Sequence, residues 1–160
     1  FLPRVSLPGF QQHHVCRLSA ADDGQSLAVA RPCVAEDHLG LEVCELARLT
    51  ALGHAYRANA LANRAYYAVM FQRPIPGFEP SADAYADSLR PLGILVDAVA
   101  DCIRAGVLRP ADPAHVAGVL WAAAHGAVSL ELAGYEGAAD AEARFQDLLA
   151  AAAAWFFAAR

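Results

Sequence analysis

Apolar residues recur at three- and four-residue steps along most of this chain, which is the period of an amphipathic helix. The first such stretch begins near Leu41 and contains the periodic positions Leu49, Leu52, Tyr56 and Ala60. It breaks at Asn63-Arg64, and a second short apolar run follows from residue 66 to 71. The pattern predicts one long helix and one short helix in this part of the chain.

Proline and glycine then mark a loop over residues 73 to 80. Ser81 is a good N-cap residue, so we expect a helix from there to Ala105, ended by Gly106. Pro91 lies inside this stretch. Because proline lacks a backbone N–H and crowds the preceding turn, we expect a kink or a break close before it.

Two further helices complete the pattern. Asp112-Pro113 is a strong start signal, an N-cap followed by proline at the first helical position, and Gly134 is the expected end. Asp140 is predicted to cap a last helix that runs towards Ala159. No strand-like alternation occurs from residue 41 onward, so the sequence predicts an all-α fold.

The helix over residues 113 to 133 is apolar on nearly all sides. Its polar side chains are only His115, His125, Ser129 and Glu131. A helix of this kind is normally buried on more than one face. The apolar residues of the last helix also spread over several faces, so we expect the last two helices to pack against a second copy across a two-fold axis.

Composition narrows the possible functions. The 160 residues are 57% hydrophobic and carry 12 basic and 17 acidic side chains, a net charge of -5, with no lysine. DNA affinity depends on Lys and Arg, so this balance does not favour DNA binding by the chain itself. The longest mostly apolar stretch, residues 116 to 130, is shorter than the roughly 20 apolar residues of a membrane span.

The residues that carry chemistry allow more than one interpretation. The cluster Tyr56, Tyr66, Tyr67, Met70 and Phe71 suits a ligand pocket, which is lined mainly by apolar and aromatic groups, but equally suits a core. A metal site using His13-His14 with His38 and Cys16 or Cys33 lacks the usual ligand spacing. A hydrolase using Ser129 or Ser88 with His125 would lack the GxSxG turn. Neither a metal, a cofactor nor an enzyme activity is therefore predicted.

Three segments, in order, resemble one group of TetR-family transcription regulators. They are Trp121-Ala122-Ala123-Ala124-His125-Gly126 with the helix that follows, Leu52-Gly53-His54-Ala55-Tyr56-Arg57 with Ala62-Asn63, Tyr67 and Met70-Phe71, and the loop Arg73-Pro74-Ile75-Pro76-Gly77-Phe78-Glu79-Pro80. The group is the one named for its Trp-His-Gly helix. The resemblance covers roughly residues 46 to 160.

This resemblance implies a TetR-like C-terminal helical bundle that dimerises through its last two long helices and binds a small, mostly apolar effector. The effector would be held by seven residues, namely Tyr56, Tyr67, Met70, Phe71, Leu95, Trp121 and His125. The parent protein would be a ligand-responsive bacterial repressor in the cytoplasm. The alternative is a ligand-free helical dimer that acts as an interaction module or is a decayed regulator.

The sequence divides into an atypical segment, residues 1 to 40, and the effector-binding and dimerisation domain, residues 41 to 160. The family implies a helix-turn-helix domain before the latter, whose recognition helix enters the major groove. Residues 1 to 40 contain no recognisable helix-turn-helix. We therefore expect DNA contact only through a domain missing from this chain, and no specific DNA binding by the chain alone.

Overall fold

The computed structural model describes residues 38–72, 75–135 and 137–158. These residues form helices α1 (His38–Ala62), α2 (Arg64–Phe71), α3 (Ala82–Arg104), α4 (Pro113–Leu132) and α5 (Ala138–Ala154). The predicted all-α fold is confirmed for this part of the chain. The interpretation of residues 1 to 40, including the metal alternative at His13-His14, concerns a segment that is almost entirely outside the described residues.

The predicted helix starts rest on side-chain caps. Ser81 Oγ accepts a hydrogen bond from the Ala84 N–H at 3.2 Å, and Asp112 Oδ1 accepts one from the Ala114 N–H at 3.1 Å. Each cap satisfies one of the backbone donors that a helix N-terminus leaves unpaired. At the other ends, Gly106 and Gly134 follow α3 and α4 with φ of 79° and 77°, a conformation that favours glycine.

The structure differs from the predictions in helices α3 and α5. Helix α3 continues through Pro91, so of the kink or break predicted there, the break does not occur. Pro91 leaves only the Asp87 carbonyl without its backbone partner, and water can reach that carbonyl because both residues are exposed. The last helix has Gly137 as its N-cap, and Asp140 lies in its first turn instead of capping it. There the carboxylate still favours the positive end of the helix dipole.

The last helix also ends earlier than predicted, at Ala154. The chain beyond it runs antiparallel to the segment between α3 and α4. The Arg109 N–H donates to the Phe156 carbonyl at 2.8 Å, and the Ala158 N–H donates to the Val107 carbonyl at 3.1 Å. Phe156 is 4% exposed in the core. This non-local pairing and the burial of Phe156 end the helix before Ala159.

The core consists of two clusters along the bundle. One joins the first half of α1, the second half of α3 and the first half of α4, and its fully buried residues include Val99, Cys102 and Val116. The other joins the second half of α1 with α2, α4 and α5, around Phe145 and Val128. Helix α4 contributes to both clusters, so its middle, where Trp121 and His125 lie, is between them.

In the part of the chain that the structure describes, helix α4 has one buried face and one exposed face. Val116, Ala117, Leu120, Ala124, Ala127 and Val128 are buried. Ala122, Gly126 and Leu130 are exposed on the other side. None of the described helices combines the length and the apolar character that crossing a membrane requires.

Candidate functional site

Five aromatic side chains from three helices meet beside the middle of α4. Tyr56 comes from α1, Tyr67 and Phe71 come from α2, and Trp121 and His125 come from α4. The His125 ring centroid lies 4.6 Å from that of Phe71, 5.4 Å from Tyr67 and 5.5 Å from Trp121. Tyr67 and Phe71, one turn apart, are also in ring contact at 4.8 Å. We call these five residues the ring cluster.

Hydrogen bonds give the ring cluster a polar centre. The hydroxyl oxygens of Tyr56 and Tyr67 both lie 2.9 Å from His125 Nδ1. The Tyr67 hydroxyl also lies 2.9 Å from Ser129 Oγ. A buried polar group is costly unless it has a partner, and here each group has at least one. The cluster therefore holds the imidazole in a fixed position.

Burial determines the protonation states of this centre. Burial, followed by the effect of the Tyr67 hydroxyl, raises the pKa of Tyr56 far above its ordinary value. Burial also lowers the pKa of His125, because a partly buried imidazole loses hydration when it becomes charged. At neutral pH both side chains are therefore uncharged, and the site is a neutral one.

The lowered pKa of His125 predicts a loss of stability in mild acid. An unfolded histidine, with a pKa of about 6.5, takes up its proton at a higher pH than the folded one. The free energy of unfolding should therefore decrease as the pH falls below about 6.5, and a His125→Gln variant should lose less over the same range. Urea unfolding at about pH 7.5 and 5.5 measures this difference. The exposed His115→Gln variant is the control, and identical pH dependence in wild type and His125→Gln would contradict the prediction.

Two of the seven predicted site residues lie apart from the ring cluster. Met70 is on the surface of α2 and 41% exposed. Leu95 packs against the core cluster around Val99 and Cys102. Shallow surface grooves run along α5 from Asp140 to Ala151 and along α1 from Val43 to His54, and none of the predicted site residues lines either of these grooves.

Ser129 also belongs to the site, although the sequence analysis gave it no role in ligand binding. It follows His125 by one helical turn, and this spacing was the available signal. Its Oγ contacts the Tyr67 hydroxyl, which in turn contacts His125 Nδ1. The Tyr67 hydroxyl thus stands between serine and imidazole, where a hydrolytic Ser-His pair would need direct contact.

A second polar group missed at the sequence level joins α1, α4 and α5. Arg57 donates through Nε and Nη2 to the two carboxylate oxygens of Glu131, at 2.8 and 2.7 Å, and through Nη1 to Glu142. The Arg57 and Glu131 side chains are 14% and 10% exposed. Hydrogen bonding to Glu131 raises the pKa of Arg57, so this guanidinium stays charged. In the sequence, the only sign of this network is that Arg57 and Glu131 are each a charged residue within a largely apolar stretch.

The described fold is that of an all-helical domain whose helices surround a histidine with aromatic rings. A family model described as the tetracyclin repressor-like C-terminal domain matches residues 49–152. The chain therefore belongs to this family. Its members are the C-terminal domains of transcription regulators, and they are not enzymes. Comparison with curated proteins and with solved structures gave no match.

Proposed function

We propose that this chain is the effector-binding and dimerisation domain of a ligand-responsive TetR-type repressor of the Trp-His-Gly group, acting in the bacterial cytoplasm. The observation that carries the proposal is the neutral polar centre of Tyr56, Tyr67 and His125 inside the ring cluster. Ligand sites combine mainly apolar walls with a few fixed polar groups, and this cluster has both. Its location where α1, α2 and α4 meet lets one ligand contact three helices.

Effector binding would act by shifting the population between two arrangements of the dimer. A helix-turn-helix domain joined before α1 would report the shift to DNA, because α1 carries Tyr56 of the ring cluster. The coupling requires that the effector bind one arrangement more tightly than the other. The effector is a small, mostly apolar molecule in this proposal, and neither a metal nor a cofactor takes part.

The homodimer is supported by the surface of α4. Gly118, Ala122 and Gly126 follow one another at four-residue steps, and apart from the local helix backbone no atom lies within 4 Å of a Cβ placed on either glycine. Ala122 and Gly126 are exposed and Gly118 is half-buried. Small residues at this spacing allow a second helix to approach closely. Leu148 and Trp155 on and after α5 are 39% and 75% exposed and would add apolar area to the same interface. A stable dimer would bury more than about 1,000 Å² in total.

The effector proposal is tested by a screen of small apolar compounds against the 160-residue chain. Compounds that raise the melting temperature are then measured by calorimetry with His125→Phe. Loss of a hydrogen bond to the imidazole should weaken binding by roughly 0.5–1.5 kcal/mol. Tyr66→Phe on the exposed side of α2 is the matched control. Compounds that bind both variants as tightly as wild type would remove His125 from the site.

The second candidate is a ligand-free helical dimer that serves as an interaction module or is a decayed regulator. The observation that favours it is the direct packing of the ring cluster, in which Phe71 lies 4.6 Å from His125 and 6.2 Å from Trp121 between ring centroids. Rings that fill their own space need no ligand. Dimerisation without any stabilising compound in the screen would support this candidate over the first.

A further inference from the structure

The hydrogen bonds around His125 determine which of its ring nitrogens carries the proton. Nδ1 faces two phenol hydroxyls, those of Tyr56 and Tyr67, at 2.9 Å each. A phenol, with a pKa of about 10, is a far better hydrogen-bond donor than a neutral imidazole N–H. The imidazole lone-pair nitrogen, whose conjugate acid has a pKa of about 6.5, is in turn the better acceptor. Matching donor to acceptor therefore makes Nδ1 the acceptor.

The second contact of the Tyr67 hydroxyl agrees with this direction. Tyr67 has a second acceptor in Ser129 Oγ at 2.9 Å, so the two phenols need not compete for one lone pair. A neutral His125 then carries its proton on Nε2.

The Nε2–H group is accessible and has no hydrogen-bond partner among the described residues. The hydrogen bonds of the His125 ring found there are made by Nδ1. Among the described residues, Arg48 Nε is the one fully buried side-chain nitrogen or oxygen without a hydrogen-bond partner. His125 Nε2 also has no partner there but does not belong to this class, so it is not fully buried. The neighbouring residue Trp121 is 37% exposed. A molecule arriving from the surface beside Trp121 would therefore meet an unused N–H donor.

Among the described residues, the groups in hydrogen-bond or ring contact with His125 are uncharged. They are the two phenols and the rings of Phe71 and Trp121. Aromatic faces attract cations, but an imidazole that presents N–H repels them, and no carboxylate is among these contacts. A neutral hydrogen-bond acceptor therefore suits the Nε2–H donor of His125, because these contacts supply no charge that would balance a charged ligand.

We propose that the ring cluster binds a neutral molecule with a flat apolar part and a carbonyl-type acceptor, which takes a hydrogen bond from Nε2–H of His125. The inference rests on the proposed function, since it names the ligand chemistry of the same site. Tyr56 is the positioning residue: its hydroxyl occupies Nδ1 and so keeps the proton on Nε2. The apolar part of the ligand packs against Trp121 and Phe71.

Three probes of similar size test the ligand chemistry on the whole chain. Acetophenone offers a carbonyl acceptor, α-methylstyrene replaces that oxygen with CH₂, and trimethylphenylammonium replaces it with a cation. Binding is followed by the NMR shifts of the His125 and Trp121 side chains. Acetophenone should bind about 2- to 12-fold more tightly than α-methylstyrene, the gain expected of one hydrogen bond, and more tightly than the cation.

Variants test the positioning role. Tyr56→Phe should reduce the preference for acetophenone over α-methylstyrene, because it frees Nδ1 to carry the proton. Tyr66→Phe, a matched exposed tyrosine, should keep it. His125→Gln should retain part of the preference, since the glutamine amide places an N–H near the position of Nε2. The ligand-free wild type gives a measurement that needs no variant: nitrogen NMR should show His125 neutral and protonated at Nε2.

The outcomes separate this inference from the proposed function. Equal binding of acetophenone and α-methylstyrene at the ring cluster, tightest binding of the cation, or an Nδ1-protonated His125 would overturn the acceptor inference while effector binding stands. Failure of all three probes to bind up to their solubility would count against both. Binding that shifts neither His125 nor Trp121 would place the ligand elsewhere and overturn both for this cluster.

Discussion

A Gly126→Arg variant should be a monomer at micromolar concentrations at which the unsubstituted chain is a dimer. Gly126 lies on the exposed side of α4, and apart from the local helix backbone no atom lies within 4 Å of a Cβ placed on it. The substitution therefore has room in the isolated chain, and arginine favours a helix by nearly 1 kcal/mol over glycine. In a closely packed two-fold interface the same side chain would meet its own copy, with steric overlap and like charges.

The matched control is Gly93→Arg. Gly93 is also an exposed helical glycine with no atom within 4 Å of a placed Cβ apart from the local helix backbone, but it lies on α3. Sedimentation velocity should show a dimer for wild type and Gly93→Arg and a monomer for Gly126→Arg, with unchanged helical circular dichroism in all three. A Gly126→Arg dimer as tight as wild type would exclude this face of α4 from the interface.

How far the sequence predicted the fold depends on how local the determining interactions are. The N-caps at Ser81 and Asp112 were predicted because a cap bond spans only two or three residues. The end of α5 was not, because Phe156 and Ala158 pair with residues near Val107. That pairing joins segments about 50 residues apart along the chain, and helix propensity alone favours continuing through the alanine run.

The ring cluster shows the same limit. The four-residue spacing predicted that Tyr67 and Phe71 share one face and that Trp121 and His125 share another, and ring contacts confirm both pairs. Periodicity places a residue on a face but does not say how far along the bundle a partner helix meets it. Leu95 shows the consequence, since it packs on the neighbouring core cluster.

The network around Arg57 supports the last prediction, which concerns folding stability. Arg57 makes a two-pronged contact with Glu131 and a further ion pair with Glu142, joining three helices. Glu131 is 10% exposed, so an Arg57→Leu variant leaves a carboxylate with little access to water and without its cation. Removing one partner of such a buried pair costs about 3–5 kcal/mol, a large share of the 5–15 kcal/mol that stabilises a typical domain.

Restoring charge balance should recover much of this loss. The double variant Arg57→Leu/Glu131→Leu replaces both partners with apolar side chains, and such replacements are often close to neutral. Arg90→Leu is the control: Arg90 pairs with Asp87 at 2.8 Å, but the two side chains are 80% and 65% exposed, so the loss should stay below about 1 kcal/mol. Urea unfolding of the four proteins measures these differences at one protein concentration, because dimerisation also contributes to stability.

A loss for Arg57→Leu as small as for Arg90→Leu would mean that water solvates Glu131 in the folded chain. A double variant less stable than Arg57→Leu would mean that Glu131 has other stabilising contacts that outweigh the cost of leaving it unpaired.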